Sequence, residues 1–519
     1  MVNVYKEILN NNLNKLLNLY NMDPYSVSFG FGDRLSWGWK VSDFNNGTLQ
    51  GGVHALAIIY KEKIIKTTNS DKILDLIKSI LLATDKIRAK NGSMIEAYPR
   101  ESSFCVTALV AFDLLSAIDI LDHELSDDFK KTALDIIAPM INFISENDEE
   151  HAIISNHLAT GVAACVKWNK LTGQNNTRYL ELLEIIYENQ SSEGWYKEYE
   201  GADPGYQTLC TYYLAAAYLD HKNEKLLQSL KNSAKFLRHF VHIDGTIGGL
   251  YGSRNTEVYY PGGIIALAGE IEDFASIAKV MHEGIRQGNN LQPENIDIGN
   301  YIPLLNSYAF ASDQFQKYQQ TIEQSKAIAL EEEITFHQTG IFIKNTPSYQ
   351  AIINYKKGGT IKVFDKSTHK IDIEDGGYFA RLKNGKTVTT QMLTSQNFEN
   401  HEIATKFFYV NESNPSIYTT IVLRVLALTI FKSLTLGNLF KKMIVNMLMT
   451  GKLPAGGQMN RSFRFEENNI FITDQVAPPK GTLECNRGKK AKAIHMASSG
   501  YFIKQLWQMP NESNIVKYQ

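Results

Sequence analysis

Cysteine is scarce in this sequence. The 519 residues include only four cysteines, and none of them forms the Cys-x-x-Cys spacing common to zinc and redox sites. Three of the four lie in apolar helical patterns, where cysteine behaves as a small hydrophobic residue. The set is Cys105, Cys165, Cys210 and Cys485. We therefore expect reduced thiols in a cytoplasmic protein.

Net charge is nearly absent as well. Lys and Arg total 53 against 55 Asp and Glu, which gives a formal net charge of -2. No global positive field attracts nucleic acid, so we expect no nucleic-acid partner. A local cleft in such a protein can still bind an acidic oligosaccharide or polysaccharide.

Long hydrophobic runs are also missing. In the most apolar stretch, residues 417–449, basic residues at Arg424, Lys432 and Lys441-Lys442 interrupt every run before the roughly 18 to 20 residues needed to span a bilayer. We expect a basic amphipathic helix there, packed inside its own domain. The alternative is contact with the inner face of a membrane or with a glycosyltransferase.

The N-terminal residues 1–26 lack the continuous apolar core of a secretory leader, since charges and asparagines are spread through their apolar positions. Their pattern predicts a helix. Because the leader pattern is missing, we expect a cytoplasmic location.

What the sequence does contain is a strong helical period. From residue 3 to about 330, apolar residues recur at i, i+3, i+4 and i+7, for example in 72–87, 104–121, 129–144, 158–171 and 206–219. Two helices occur per roughly 45 to 55 residues, as in successive helical hairpins that form a ring or an open toroid. We predict an (α/α) toroid domain over residues 1–330.

The apolar period changes to about two residues after Glu331-Glu332-Glu333. Short alternating runs occupy 334–345, 349–365, 369–393 and 463–476, separated by Gly-Gly and Asn-Gly turn signals. We predict an antiparallel β-sandwich domain over residues 331–519, with a helical insertion at about 417–449. The fold class expected for the chain is α+β.

A polar motif stands at the start of one predicted helix. Ser155-Asn156-His157 comes immediately before the apolar pattern that begins at Leu158. A polar residue in this place is first of all a helix cap, and its alternative role is to bind a ligand.

A second motif is the loop 193–207, which is dense in carboxylates and aromatic residues and leads into another apolar helix. A loop that merely connects two helices needs few aromatic residues, so Trp195, Glu200 and Tyr206 are candidates for ligand contacts. In a helical ring this loop and the one before His157 can open at the same end.

A third motif is the glycine-rich stretch 244–257, in which four glycines lie between residues 244 and 252. Glycine frees the backbone to approach a ligand, and a guanidinium such as that of Arg254 suits bidentate binding of a carboxylate. Tyr251 and Asn255 flank it as further candidates. The alternative is a turn in which Arg254 pairs with Glu257.

These residues resemble the heparinase II/III and alginate lyase group of polysaccharide lyases. The resemblance rests on Asn156-His157 opening a helix and on Gly205-Tyr206 in a loop 49 residues after the histidine. It implies an (α/α) toroid joined to an antiparallel β-sandwich.

Two N-terminal stretches, 31–44 and 96–102, are similar to a branch of this group found among capsule and O-antigen gene clusters. The second stretch contains Arg100 and Glu101, which the resemblance implies as further substrate contacts.

The activity implied by the resemblance is β-elimination from a uronic acid. Asn156, His157 and Arg254 would neutralise the substrate carboxylate, which makes the C5 proton acidic enough to remove. Tyr206 would exchange protons as general base or as general acid at the C4 oxygen. These roles need no metal and no organic cofactor.

The chain departs from this group at one place. Lyases of the group carry a His-x-His-x-Asp-like segment near the start of the sandwich, whereas residues 354–362 here read Asn-Tyr-Lys-Lys-Gly-Gly-Thr-Ile-Lys. The segment that supplies another histidine and often metal ligands is therefore missing.

Two other classes of function stay open. A glycoside hydrolase would need two carboxyl groups about 5 to 9.5 Å apart, and the loops offer several. The set is Glu198, Glu200, Asp203, Asp244 and Glu257. The second class is a non-degradative protein that binds or modifies a glycan during cytoplasmic capsule or O-antigen assembly.

Overall fold

The N-terminal part of the computed structural model is helical. The model describes residues 1–64, 70–149, 152–328, 332–394, 397–410, 414–446, 451–488 and 513–519. The helices of this part are α1 Val4–Leu17, α2 Arg34–Trp37, α3 Val53–Lys61, α4 Ser70–Ile87, α5 Phe104–Ile120, α6 Asp127–Glu146, α7 Ser155–Thr172, α8 Arg178–Asn189, α9 Pro204–Asp220, α10 Glu224–Leu237, α11 Gly262–Ala266, α12 Glu272–Arg286 and α13 Ile298–Gln324.

Six of these helices form a closed inner ring. Contacts run from α3 to α5, α7, α9, α11 and α13 in turn, and α13 packs back against α3. The inner helices α5 and α9 are buried on nearly every side, whereas the outer helices α6 and α10 bury one face. A helix surrounded by others needs apolar residues all round, which explains the difference in sequence. The predicted (α/α) toroid is confirmed.

The C-terminal part is built from strands. They are β1 Glu333–Phe336, β2 Ile341–Asn345, β3 Tyr349–Asn354, β4 Thr360–Asp365, β5 Lys370–Asp375, β6 Tyr378–Leu382, β7 Thr387–Thr389, β8 Glu402–Tyr409, β9 Pro454–Phe465, β10 Ile470–Ala477, β11 Thr482–Arg487 and β12 Val516–Tyr518. The last toroid helix ends at Gln324, so the expected boundary at 330 falls between the two kinds of structure. Residues 329–331 themselves lie outside the described residues.

The strands form two sheets packed face to face. One sheet has the order β1-β2-β3-β4-β5, and the other has the order β11-β6-β7-β8-β9-β10-β12. Neighbouring strands are antiparallel except for β10 and β12, which are parallel. Tyr349 and Ile361 of the first sheet share a core with Met459 and Phe463 of the second. The predicted sandwich is confirmed.

The five-stranded sheet lies between the toroid and the second sheet. Its other face joins the core of the toroid, where Phe336 packs against Phe236 with ring centroids 5.1 Å apart. Burial on both faces explains why β3 is buried at every position. The toroid and the sandwich therefore meet along an apolar sheet surface.

The helical insertion, residues 414–446, connects the adjacent strands β8 and β9. It contains α14 Ile417–Leu428, a 3-10 turn at Ile430–Lys432, and α15 Leu434–Val445. The expectation that it packs inside its own domain is wrong. It lies on the toroid, through ion pairs between Arg424 and Asp43 at 2.9 Å and between Lys441 and Glu101 at 3.0 Å.

Across the described ranges, no helix combines the length and the apolar character that crossing a bilayer requires.

Candidate active site

Donors from two elements converge on the buried carboxylate of Glu198. Asn156 lies in the first turn of α7, where its side-chain Nδ2 donates to Glu198 Oε2 at 2.7 Å and its backbone N–H donates to Glu198 Oε1 at 3.1 Å. From the loop after the 3-10 turn that follows α10, Arg254 Nη1 donates to the same Oε2 at 3.3 Å. Asn156 and Glu198 are both buried. An amide and a guanidinium therefore share one acceptor.

The charge on Glu198 is sensitive to pH near neutrality. Burial raises the pKa of Glu198 to about 7, although Arg254 and the hydrogen bonds from Asn156 act in the opposite direction. Burial also disfavours the charge on Arg254, but Tyr206, Tyr199 and Glu198 together raise its pKa. Near neutral pH the guanidinium therefore stays charged while the carboxyl group can gain a proton.

Tyr206 lies directly beside this guanidinium. It occupies the first turn of α9, and the guanidinium carbon of Arg254 is 3.5 Å from the centroid of its ring. Tyr199 presents its ring to the same guanidinium at 5.2 Å. A guanidinium stacked on a ring face is attracted to it, so this contact holds Arg254 and Tyr206 together.

Asp203 fixes the relative position of Tyr206 and Arg254. As the N-cap of α9, its Oδ1 accepts a hydrogen bond from the backbone N–H of Tyr206 at 3.1 Å. Its Oδ2 accepts from the backbone N–H groups of Arg254 at 2.9 Å and Thr256 at 3.3 Å. One buried carboxylate thus joins the start of the helix to the glycine-rich loop.

His157 lies next to Asn156 in the first turn of α7. Its Nδ1 is 2.9 Å from Oε2 of Glu149, and its side chain is 21% exposed. A hydrogen bond to one ring nitrogen orients the imidazole and sets which nitrogen can face a ligand. Glu149 therefore fixes the orientation of the His157 ring, a contact that the sequence interpretation did not identify.

The glycines of the loop 244–257 bring the loop close to α9. A Cβ atom on Gly252 would lie 2.7 Å from Asp203 Oδ2, and one on Gly248 would lie 2.2 Å from the carbonyl oxygen of Thr256. The expectation that these glycines free the backbone to approach a ligand is therefore not what the structure shows. They allow protein to approach protein.

The alternative interpretation of this loop, a turn closed by Arg254 and Glu257, is also wrong. Arg254 pairs with Glu198, and Glu257 pairs with Lys362 of the sandwich at 3.0 Å.

Tyr251 and Asn255 lie at the junction between toroid and sandwich rather than with Asn156. Tyr251 is fully buried, its hydroxyl is 2.7 Å from His242 Nε2, and its carbonyl oxygen accepts a hydrogen bond from Asn354 at 2.7 Å. Asn255 Oδ1 accepts from Lys357 Nζ. Both residues hold the loop against the sandwich.

Trp195 and Glu200, from the loop before α9, also bind other parts of the protein. The indole N–H of Trp195 donates to Glu193 at 3.0 Å, and Glu193 in turn accepts from the backbone N–H of Gln338 at 2.8 Å. Glu200 is exposed and pairs with Lys452 at 2.6 Å. Among the described residues, neither Trp195 nor Glu200 forms a hydrogen bond or an ion pair with Asn156 or Arg254.

Arg100 and Glu101 have different surroundings. Glu101 is buried, where it accepts from the backbone N–H of Ala97 at 2.7 Å and pairs with Lys441 of the insertion. Arg100 is exposed and lines a cavity of about 600 Å³ between the toroid and the insertion. Glu101 therefore anchors the insertion, while Arg100 is free to contact a ligand.

The cavity beside Arg100 combines cations with aromatic rings. Lys90 and Lys432 line it together with Arg100, and within the described part of the chain these three cations form no ion pair. The rings of Tyr98 and Phe431 line the same space with centroids 5.2 Å apart. Cations without ion-pair partners can bind an anionic group here.

Lys441 lies between this cavity and the first turn of α7. Burial disfavours its charge, but Glu101 and Glu149 raise its pKa. Glu149 also binds His157, so it acts electrostatically on Lys441 and holds the imidazole at the start of α7.

The five carboxylates considered for a hydrolase all have partners inside the protein. This arrangement does not favour a hydrolase, since the carboxylates build the loops. The contacts are Glu198 with Arg254, Glu200 with Lys452, Asp203 with the loop backbone, Asp244 with Thr246 and Glu257 with Lys362.

Lysines occupy the segment where the resemblance would place histidines. Lys357 is fully buried and donates to the carbonyl oxygen of Gly252 and to Asn255, on either side of Arg254. Burial lowers its pKa to about 7, which Asp203 opposes. Lys357 therefore holds the loop on both sides of Arg254. The sequence Lys-Lys-Gly-Gly indicates a turn and does not predict this contact.

Comparisons with known proteins give no family. No family model matches this chain, and no curated protein matches it. Several solved structures resemble this chain, with low sequence identity and low TM-scores. A xanthan lyase from Paenibacillus is 9% identical with a TM-score of 0.49, over 78% of this chain and 44% of that one. A chondroitin AC lyase from Streptomyces coelicolor A3 is 9% identical with a TM-score of 0.47, over 78% and 64%.

A heparan sulfate lyase from Pedobacter heparinus is 10% identical with a TM-score of 0.40, over 91% of this chain and 68% of that one. The chain spans less than two thirds of the length of the first two structures. We therefore infer its function from its own residues.

Proposed function

We propose that this chain is a polysaccharide lyase that cleaves a uronate-containing glycan by β-elimination, with Asn156, Arg254 and Tyr206 at the reacting sugar. The observation that carries the proposal is that an amide and a guanidinium converge on one carboxylate, with a phenol ring 3.5 Å from the same guanidinium.

The chemistry needs both kinds of group. A base removes the C5 proton, the electron pair forms a double bond between C4 and C5, and the C4–O bond breaks as its oxygen gains a proton. Negative charge builds on the carboxylate attached to C5, and preorganised donors stabilise it. Asn156 and Arg254 would supply those donors, and Tyr206 would move the proton.

Glu198 is the group that the substrate carboxylate would replace as acceptor. Its pKa of about 7 means that a modest fall in pH neutralises it. A neutral Glu198 holds the guanidinium less tightly and repels an anionic sugar less. Access of the substrate to both donors is therefore expected to increase as Glu198 gains its proton.

The cavity of about 600 Å³ supports an acidic substrate. Lys90 and Arg100 present cations there without acidic partners among the described residues, and Tyr98 offers a ring face to a sugar. A cavity of several hundred Å³ is large enough for sugar residues. Asn156, Arg254 and Tyr206 do not line it, so it would hold a part of the polymer away from the cleaved bond.

A second candidate function is glycan binding without turnover. The observation that favours it is that Glu198 already accepts from both donors, while Lys357 stands in the segment where a histidine would be expected. In that case the protein would bind or modify a glycan during cytoplasmic capsule or O-antigen assembly, as the similarity of residues 31–44 and 96–102 suggests.

The test is to incubate the full chain with a panel of uronate polymers and to follow the ultraviolet absorbance of the unsaturated uronate that β-elimination produces. We expect Tyr206→Phe to lower the rate by about 10² to 10⁴, the usual contribution of a general acid or base. Tyr259→Phe is the matched control. Its hydroxyl is buried and has no hydrogen-bond partner in the described residues, so its rate should match the wild type.

Binding measured alongside separates the two candidates. Wild type and Tyr206→Phe that bind a polymer equally, with neither releasing unsaturated product, would support glycan binding and refute the lyase.

A further inference from the structure

The helical insertion has an apolar face that the rest of the described chain leaves uncovered. Tyr418 is 81% exposed, Ile417 is 78% exposed and Leu439 is 64% exposed. Further exposed apolar residues of the insertion are Ile421, Val422, Val425, Leu428, Leu436 and Met443. Clusters of this kind on a protein surface mark interaction sites.

The exposed residues follow the helical period. In α14 the positions 417, 421, 425 and 428 recur at i, i+4, i+8 and i+11, and in α15 the positions 436, 439 and 443 recur at i, i+3 and i+7. Each set therefore lies along one side of its helix. Stripes that usually face a protein core face solvent here.

The opposite side of the insertion is fixed to the toroid. Phe431 is buried against Tyr98, with ring centroids 5.2 Å apart. Arg424 pairs with Asp43 at 2.9 Å, and Lys441 pairs with Glu101 at 3.0 Å. Arg424 and Lys441, which would normally point to solvent, attach the insertion to the toroid. The apolar sides of α14 and α15 therefore face outward.

The same part of the chain carries no negative charge. Residues 414–446 contain no Asp or Glu, while four Lys and Arg residues occur. Of these, Lys442 is exposed beside Leu439 and Met443, and it forms no ion pair with any described residue. The exposed face is therefore both apolar and basic.

We propose that this face docks on the surface of an anionic lipid bilayer. The stripes of α14 and α15 would enter the boundary between headgroups and acyl chains, and Lys442 would contact the headgroups. A second copy of the chain is the weaker candidate, because two acid-free faces that each carry the unpaired Lys442 repel each other. An anionic bilayer accommodates the apolar residues and the cation together.

The test is co-sedimentation of the full chain with vesicles of phosphatidylcholine alone and with vesicles that also contain phosphatidylserine. We expect binding to the anionic vesicles, reduced by added salt. Val422→Asp and Leu439→Asp should abolish it, and Lys442→Glu should weaken it by at least about five-fold, the contribution of one cation near such a surface. Leu180→Asp is the control, because Leu180 is also exposed but lies on α8.

Several results would overturn the proposal. One is a wild-type chain that stays in the supernatant with anionic vesicles, and another is retention by Val422→Asp and Leu439→Asp at wild-type levels. A dimer in solution that dissociates in Val422→Asp, without vesicle binding by the wild type, would show that a second copy occupies the face. Melting temperatures of the variants confirm that each is folded. The vesicle assay needs no glycan, so its outcome is independent of the lyase test.

Discussion

The guanidinium of Arg254 contacts the ring of Tyr206 at 3.5 Å and shares the carboxylate of Glu198 with Asn156. Replacing Arg254 by Met leaves Glu198 buried without its cation. Without the cation Glu198 takes up a proton at pH 8, so we expect the free energy of unfolding to fall by about 1 to 3 kcal/mol, the cost of a buried polar group that loses a partner. Urea denaturation measures this. Arg254→Lys, which keeps the charge, should lose less, and equal stability of all three proteins would contradict the role of the pair.

Glu198 should control how tightly an acidic glycan binds as the pH changes. Its pKa is about 7, so the carboxyl group is neutral below that pH and negatively charged above it. We therefore expect the KM for an acidic glycan to rise as the pH increases from 6 to 8. In Glu198→Gln the side chain is neutral throughout, and this rise should disappear. A variant that shows the same pH profile as the wild type would exclude Glu198 as its source.

Arg100 should contribute to binding of the polymer rather than to the chemical step. Arg100→Ala removes one unpaired cation from the cavity, so we expect KM for an acidic glycan to rise several-fold while kcat changes little. A charge-assisted contact at a partly exposed site has about this effect. Kinetics at two ionic strengths check it. An unchanged KM at low salt would place the substrate elsewhere.

Lys357 should make stability depend on pH. Its pKa in the folded protein is lowered to about 7 from 10.5, so the unfolded chain binds more protons between these values. Its contribution to stability is therefore fully present above 10.5 and is lost as the pH falls through 7. We expect the melting temperature of the wild type relative to Lys357→Met to increase from pH 7 to pH 9. Lys356→Met gives the baseline, and a constant difference would refute the lowered pKa.

Much of the fold follows from local patterns in the sequence. The inner helices are apolar on all sides and the outer helices on one side. This difference in sequence is typical of two concentric layers of helices. The strand β11 could not be predicted, because it is an edge strand with mostly exposed residues and no apolar alternation. The sequence also indicated an amphipathic insertion at 417–449 but not its partner, since a stripe has the same period whether it faces a core or solvent.

The candidate site was partly accessible from sequence. Asn156, Tyr206 and Arg254 lie together, because the starts of α7 and α9 and the loop 244–257 open at one end of the ring. Tyr251 and the glycines do not belong to this group, and a sequence alone cannot tell a glycine that approaches a ligand from one that approaches protein. Lys357 was missed because its partners Gly252 and Asn255 are more than 100 residues away along the chain. Glu149 was missed although His157 is only eight residues away, because the sequence pattern does not show that the two side chains meet.

The most direct test of β-elimination at Tyr206 is the mass of the fragments released from a defined uronate oligosaccharide. Elimination breaks the C4–O bond without adding water, so the fragment masses should sum to the mass of the parent, and Tyr206→Phe should release none above background. Fragments whose summed mass exceeds that of the parent by one water would show hydrolysis and contradict the account.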